Sequence, residues 1–172
     1  MIERLLFVVG APDTGKSVQL RSLFVDPRLG TRGRVPMASN VRDSYSLSVD
    51  RSLYLRLTSP HETNETLAYF LRKTATKTRT GRWCVAAPLQ PDAFKRMPDL
   101  NRTVRAVLSR FHPERIRVCV LSPDRRGAVR DALKLQRLFR RLWRLGPVEC
   151  HCLDARDRTA NGKLLADFFD FS

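Results

Sequence analysis

Short apolar runs alternate along the chain with stretches in which apolar residues recur at helical spacing. Continuous runs predict buried strands at 5–9, 83–89, 116–121 and 148–153. Two alternating runs on either side of a short polar break predict a hairpin over 45–49 and 53–57. Helical spacing and helix-start residues predict helices at 15–25, 63–77, 98–111, 128–142 and 164–169.

These elements follow one another in the order β-α-β-β-α-β-α-β-α-β-α. Strands that alternate with helices predict a mostly parallel sheet covered on both faces, with the hairpin as one antiparallel pair at an edge. A chain of 172 residues is long enough for one domain with a substantial core and too short for two ordinary ones. We therefore expect a single α/β domain over 1–172, in which the polar, arginine-rich stretch 27–44 is a long functional loop.

The composition is basic: 32 Lys and Arg residues against 17 Asp and Glu give a net charge of +15, with 42% hydrophobic residues. This mixture is typical of a folded globular protein. Cys84, Cys119, Cys150 and Cys152 all lie in apolar runs, which predicts reduced core residues of a cytoplasmic protein. No run approaches the roughly 20 apolar residues that cross a bilayer, and the N-terminal run is too short to suggest a signal peptide.

Residues 10–17, Gly-Ala-Pro-Asp-Thr-Gly-Lys-Ser, match the phosphate-loop pattern G-x-x-x-x-G-K-[ST] at every position. The segment follows a predicted strand and opens a predicted helix, which is the context this pattern requires. Lys16 would reach the β- and γ-phosphates of a nucleotide and act in catalysis, and the Ser17 hydroxyl would bind Mg²⁺. The predicted nucleotide-binding residues here are Gly10, Asp13, Thr14, Gly15, Lys16, Ser17 and Val18.

A helix, a long loop, a hairpin and three further αβ units follow the phosphate loop, and this layout resembles the Ras-like small GTPase domain. The resemblance covers nearly the whole chain in layout but only the phosphate loop in firm sequence. It implies a P-loop NTPase fold, a three-layer sandwich with Ras-like strand order. It also implies a switch that binds GTP or ATP with Mg²⁺ and presents the 27–44 loop and the 58–63 segment to a protein partner.

The remaining motifs of that family match only in part. Thr58 and His61 stand where the family's Asp-x-x-Gly has its aspartate and its glycine. Glu62 falls where several members carry a water-orienting glutamine, which makes it a candidate catalytic residue. Thr31 is the candidate effector-loop threonine and second Mg²⁺ ligand, with Ser39 as the alternative.

The base-recognition motifs are also incomplete. Of the guanine-reading Asn-Lys-x-Asp only Asp124 is present, and Ala155 lies in a loose match to Ser-Ala-Lys. The resemblance therefore leaves GTP and ATP both open and implies slow or partner-stimulated hydrolysis, because the groups that position the metal and the attacking water are only partly there.

Cations are concentrated in the second half of the chain, where 13 Lys and Arg residues fall between 100 and 145 against three acids. Those at 126, 130, 134, 137, 141 and 144 lie opposite the apolar stripe of the predicted helix. They indicate either an anionic partner, such as an acidic protein or the nucleic-acid backbone, or a solvated face. Phe139 and Trp143 are expected to face the core and not to stack on bases, so sequence-specific recognition of a nucleic acid is not predicted.

Two other functions remain open. One is a small phosphotransferase (a kinase) in which the arginine-rich residues 28–34 clamp a second phosphorylated substrate, although the hairpin argues against it. The other is a non-hydrolysing scaffold that binds an acidic partner or nucleic acid through the basic helix.

Overall fold

A computed structural model describes residues 1–171. The strands are β1 (Ile2–Val9), β2 (Ser44–Ser46), β3 (Arg51–Leu55), β4 (Arg82–Leu89), β5 (Arg115–Leu121) and β6 (Val148–Leu153). The helices are α1 (Lys16–Ser22), α2 (Leu67–Lys77), α3 (Leu100–Phe111), α4 (Ala132–Trp143) and α5 (Arg158–Ala166), with 3-10 turns at Leu23–Val25, Pro27–Leu29 and Ala38–Asn40. The predicted order of strands and helices is confirmed.

All six strands join one sheet in the order β2-β3-β4-β1-β5-β6. β3, β4, β1, β5 and β6 run parallel to their neighbours, and β2 pairs with β3 antiparallel at the edge. The predicted α/β class, with a mostly parallel sheet and one antiparallel edge pair, is therefore confirmed.

The strand order differs from the Ras-like one, in which the second strand of the hairpin borders the strand before the phosphate loop. Here β4 lies between β3 and β1, with Ala86 opposite Leu55 on one side and Leu6 on the other. β4 takes this central place because it is an eight-residue strand whose last seven residues are apolar and whose last six are buried. The shorter β3 is displaced outward beside the exposed β2.

Helices cover both faces of the sheet. Alternate residues of β1 face opposite sides, so that Leu6 and Val8 enter the core under α1 and α5, whereas Leu5 and Phe7 enter the core under α2, α3 and α4. These β1 side chains are at most 1% exposed. Burial of each contributes about 1.5–3 kcal/mol, which fixes β1 and the loop that follows it.

Two helices, α2 and α4, begin four residues later than their sequence patterns predict. Thr66, not Thr63, caps α2, because its side chain accepts a hydrogen bond from the Tyr69 N–H. α4 begins at Ala132 rather than at 128, since the Asp124 carboxylate accepts bonds from the Arg126 and Ala128 N–H groups and holds that stretch in a turn.

Two expectations about burial were wrong. Trp143 is 53% exposed, because it lies on the flank of α4 beside Phe139 and not over the sheet. Cys152 is also exposed, since β6 is an edge strand, whereas Cys84 and Cys119 are buried as predicted. No helix within residues 1–171 is long and apolar enough to cross a bilayer.

Candidate functional site

The predicted phosphate loop leaves the carboxyl end of β1, at the centre of the sheet. β1 lies between β4 and β5, and the helices that follow these strands lie on opposite faces: α1 on one, α3 and α4 on the other. In open α/β sheets, a crevice of this kind at the strands' carboxyl ends is where ligands bind.

Gly10 and Gly15 let the loop close tightly. A Cβ on Gly10 would lie 2.2 Å from the Thr14 hydroxyl oxygen, so any larger residue there would displace the Thr14 side chain from this position. That hydroxyl donates to the Ala11 carbonyl over 2.8 Å. Gly15 has φ of 101°, in the left-handed region that favours glycine, and it directly precedes α1.

The Lys16 side chain is the buried cation of the loop, with the whole residue 5% exposed. Its ammonium donates to the Ala11 carbonyl over 2.7 Å and lies 3.1 Å from a carboxylate oxygen of Glu62. The fold therefore curls the loop around its own lysine and brings Glu62 to it. Lys16 and Glu62 are the two predicted catalytic residues, and they are in contact.

Buried ion pairs and hydrogen bonds hold the Glu62 segment in place. Arg56, which follows β3, bonds both carboxylate oxygens of Glu65 at 3.1 and 3.0 Å. Burial raises the pKa of Glu65, but the hydrogen bonds and charge of Arg56 outweigh it and keep that pKa below its usual value. His61 is fully buried, with Nε2 3.1 Å from the Pro98 carbonyl, and burial lowers its pKa.

Gln90 is a site residue that the sequence analysis did not single out. It directly follows β4, and the preceding Leu89 carbonyl accepts a bond from the Gly10 N–H over 3.2 Å. Gln90 is 4% exposed, and its Nε2 has no hydrogen-bond partner among the residues described. A buried donor without a partner costs about 1–3 kcal/mol. The signal in the sequence was a polar residue directly after an apolar run, but its place beside the loop depends on strand order.

Asp124 and Ala155, the residues predicted to lie near the base of a nucleotide, are at the same edge of the sheet as the phosphate loop. The Arg125 N–H donates to the Thr14 carbonyl over 3.2 Å, which joins the loop after β5 to the phosphate loop. The Ala155 N–H donates to the Pro123 carbonyl over 2.9 Å, which adds the loop after β6. Asp124 therefore lies in the middle segment, although one of its carboxylate oxygens already accepts two backbone N–H groups.

A buried amide pair fixes the loop after β6 against α1. Gln19 donates to the Ala155 carbonyl over 2.6 Å and accepts from the Asn161 amide over 3.0 Å. Beside it, Arg156 lowers the pKa of Asp154 to about 2 through its hydrogen bonds. Hydrogen bonds thus join the phosphate loop and α1 to the loops after β5 and β6.

Thr31, the candidate second metal ligand, is not brought to the loop. Its hydroxyl donates to the Phe24 carbonyl over 3.1 Å, and Phe24 lies seven residues beyond Ser17 along α1 and the turn that continues it. That places the Thr31 contact about 10 Å along the helix from the loop. Ser39, the alternative, is exposed, and its hydroxyl donates to the Asn40 side chain over 3.3 Å.

The other predicted residues of the loop differ in exposure. Ser17 and Val18 are half-buried in the first turn of α1, whereas Asp13 is exposed with φ of 58°. The arginine clamp predicted at 28–34 is partly occupied, since Arg28 forms two hydrogen bonds with Asp26 at the far end of α1.

Comparisons with known proteins add no relative to this description. Neither a protein-family model, nor a curated protein, nor a solved structure was found to match the chain.

Proposed function

We propose that the chain binds a nucleoside triphosphate in the loop at 10–17 and hydrolyses it slowly or with the help of a partner, as a P-loop nucleotide switch. The observation that carries the proposal is the buried Lys16 ammonium inside a tight loop that favours glycine at Gly10 and Gly15. A loop of this shape presents backbone N–H groups and one positive charge to a phosphate group, which is the chemistry of phosphate binding.

The phosphates would displace Glu62 from Lys16. A carboxylate and a phosphate are both anions that accept hydrogen bonds from an ammonium group, so the Glu62 carboxylate holds the place that a phosphate oxygen would take. Once released, Glu62 would lie beside the terminal phosphate, where it could orient a water molecule for in-line attack. Gln90, with its unpartnered amide beside Gly10, would donate to a phosphate oxygen or to a metal-bound water.

A magnesium ion fits this site only together with the nucleotide. No group of three His, Cys, Asp or Glu side chains among residues 1–171 could hold a metal ion. Mg²⁺ often takes few protein ligands and completes its shell with phosphate oxygens and water, so the Ser17 hydroxyl and the triphosphate would hold it. The ion would neutralise charge that develops on the phosphates.

The base would lie between the loops after β5 and β6. Asp124 and Ala155 belong to these loops, and the Ala155 N–H bond to the Pro123 carbonyl holds them together. The free oxygen of the Asp124 carboxylate could accept a guanine N–H, which favours GTP. ATP remains the other candidate, and a comparison of the affinities for GTP and ATP distinguishes the two.

The nucleotide would signal through the segments at 27–44 and 58–63. Residues 38, 41–43, 57, 58, 63 and 65 line one pocket of about 300 Å³, so part of the long loop meets the Glu62 segment. Displacement of Glu62 would move this shared surface and change how a protein partner meets it.

Equilibrium binding of GTP, GDP, ATP and ADP with Mg²⁺ tests the proposal, using the wild type and Lys16→Ala. A hydrogen bond to a charged group is worth about 1.5–3 kcal/mol, so Lys16→Ala should weaken triphosphate binding roughly 10- to 150-fold. The matched control is Lys163→Ala, which removes an exposed lysine from α5 and should leave binding unchanged.

The tightest triphosphate would then be followed for phosphate release. Slow release that depends on Lys16 supports the switch. No binding to any of the four nucleotides, or equal binding by Lys16→Ala, would overturn the proposed function.

A further inference from the structure

The neighbouring helices α3 and α4 carry positive charge without any acidic residue. Their cations are Arg102, Arg105 and Arg110 on α3 and Lys134, Arg137, Arg140 and Arg141 on α4. Both helices lie on the face of the sheet opposite α1 and α5. Charge of one sign on adjacent helices is self-repelling, so this face is built at a cost in stability.

A groove of about 380 Å³ runs between the two helices, and we call it the α3–α4 groove. Its cations are Arg130, Lys134, Arg137 and Arg141, and Leu135 and Leu138 add apolar surface. Its two acids are already engaged or exposed. Asp99 caps α3 by accepting the Arg102 N–H over 2.8 Å. Asp92 is 90% exposed, with Arg130 3.9 Å away.

Lys134, Arg137 and Arg141 have no hydrogen-bond or ion-pair partner for their charged groups among residues 1–171. Arginines elsewhere on the sheet are paired: Arg115 and Arg117 of β5 both bond the Glu149 carboxylate. These three cations therefore differ from the paired arginines of β5, because no carboxylate among residues 1–171 forms an ion pair with them, although Asp92 and Asp99 line the same groove.

These cations form a row along α4 that a repeating anion can follow. Helix geometry places Lys134, Arg137 and Arg141 about 4.5 and 6 Å apart along the axis, a row roughly 10 Å long. Charges recur at a regular interval along a phosphodiester chain, whereas carboxylates on a folded acidic protein have no fixed repeat. The arginine guanidinium also matches phosphate geometry with two parallel N–H bonds.

The groove also selects among polyanions by shape. Proteins that bind single strands use a cationic groove that tracks the backbone, whereas a duplex is commonly bound by a helix that projects into its major groove, about 12 Å wide. The cations of the α3–α4 groove line a recess, which favours the single strand. A flat membrane surface would meet the outward side of α4, where Leu133 and Arg140 lie, rather than the cations between the helices.

We infer that the α3–α4 groove binds the phosphodiester backbone of single-stranded nucleic acid. Lys134, Arg137 and Arg141 contact successive phosphates, and Arg130 contacts the strand at the end of the groove nearest the loop after β5. This site is separate from Lys16 and does not depend on the proposed nucleotide site. Contacts to the backbone position a strand without reading its sequence.

Binding of a labelled 20-nucleotide single strand, as DNA and as RNA, measured from 50 to 200 mM salt, tests the inference. The groove variant is Lys134→Gln/Arg137→Gln/Arg141→Gln. Loss of three phosphate contacts should lower the slope of log affinity against log salt by about 2, since each contact contributes about 0.7 for single strands. Over this fourfold change in salt, the wild type should therefore lose roughly 20-fold more affinity than the variant.

The matched control is Arg105→Gln/Arg140→Gln/Arg144→Gln, which removes the same charge from exposed positions that do not line the groove. It should keep most of the wild-type slope. Equal losses in the two triple variants would overturn the groove and indicate diffuse charge. Preferential binding of poly-glutamate, anionic vesicles or duplex over the single strand would also overturn it. Lys16→Ala should bind the strand like the wild type, so failure of this inference and failure of the nucleotide proposal are distinguishable.

Discussion

The phosphate loop and the α3–α4 groove both carry positive charge, but the surroundings of that charge differ. At the loop a single lysine is 5% exposed and surrounded by its own protein, with the Ala11 carbonyl and the Glu62 carboxylate within 3.1 Å. In the groove Lys134, Arg137 and Arg141 are exposed, and no protein group among residues 1–171 pairs with them.

The two surroundings suit different ligands. A buried, oriented charge interacts strongly and with defined geometry, since it is little screened by salt. It suits one small ligand held in one position. A row of exposed charges acts through counterion release and depends on salt, so it suits a long polyanion that can shift along the row.

The largest change in stability is expected where α4, the helix that carries the groove cations, is joined to the core. Within α4, which the structure describes in full, Leu142 is the one buried side chain and joins the helix to the core under α3. Leu142→Ala should lower the free energy of unfolding by about 2–5 kcal/mol, because it leaves a cavity in that core. Chemical denaturation followed by circular dichroism measures the loss.

Leu133→Ala is the control for that substitution. It makes the same change in the same helix, but Leu133 is 63% exposed, and it should cost less than about 0.5 kcal/mol. If the two substitutions destabilise the protein equally, the groove is not anchored to the sheet by Leu142.

The two regions were also unequally predictable from the sequence. Gly10, Lys16 and Ser17 were singled out from the sequence because the phosphate-loop pattern describes a local backbone geometry, and consecutive residues specify such a geometry. The element order and the antiparallel edge pair followed from hydrophobic periods in the same way.

What could not be predicted depends on contacts between distant residues. Gln90 was missed, because which strand borders β1 is decided by how whole strands compete for the centre of the sheet. The place of Thr31 depends on its bond to the Phe24 carbonyl, a contact that no sequence pattern marks. The groove was seen in sequence only as a cationic ridge. Its concave shape requires α3 beside α4, and no periodicity within one helix reveals a neighbour.

A second prediction uses the pH dependence of the loop edge. Burial, and more weakly the nearby Lys16 ammonium, lowers the pKa of His61 below its usual value near 6.5. The unfolded chain therefore binds more protons than the folded one once pH falls below about 6.5. Stability should decline from there toward the folded pKa of His61, with a slope of at most about 1.4 kcal/mol per pH unit.

His61→Gln should remove that decline, and His112→Gln, at an exposed histidine that ends α3, should keep it. Denaturation midpoints between pH 7.5 and 5 measure both. The carboxylates do not obscure the result, since arginines hold the pKa values of Glu65 and Glu149 below their usual range and their contribution is lost only at lower pH. A decline that persists unchanged in His61→Gln would contradict the assignment.

The smallest change, one in triphosphate affinity, is expected when the contact between Glu62 and Lys16 is weakened. Glu62→Gln removes the carboxylate charge while keeping the size of the side chain, so the phosphates no longer compete with an anion for Lys16. A partly exposed ion pair is worth about 0.2–1 kcal/mol, so triphosphate affinity should rise by at most about fivefold. If Glu62 also orients the attacking water, phosphate release from bound triphosphate should fall in the same variant.

Glu114→Gln, at an exposed acid before β5, should change neither quantity. Weaker triphosphate binding in Glu62→Gln would mean that Glu62 supports the nucleotide rather than holding its place. The strand affinity of the α3–α4 groove should be the same in Glu62→Gln and Glu114→Gln as in the wild type, because neither residue lines the groove.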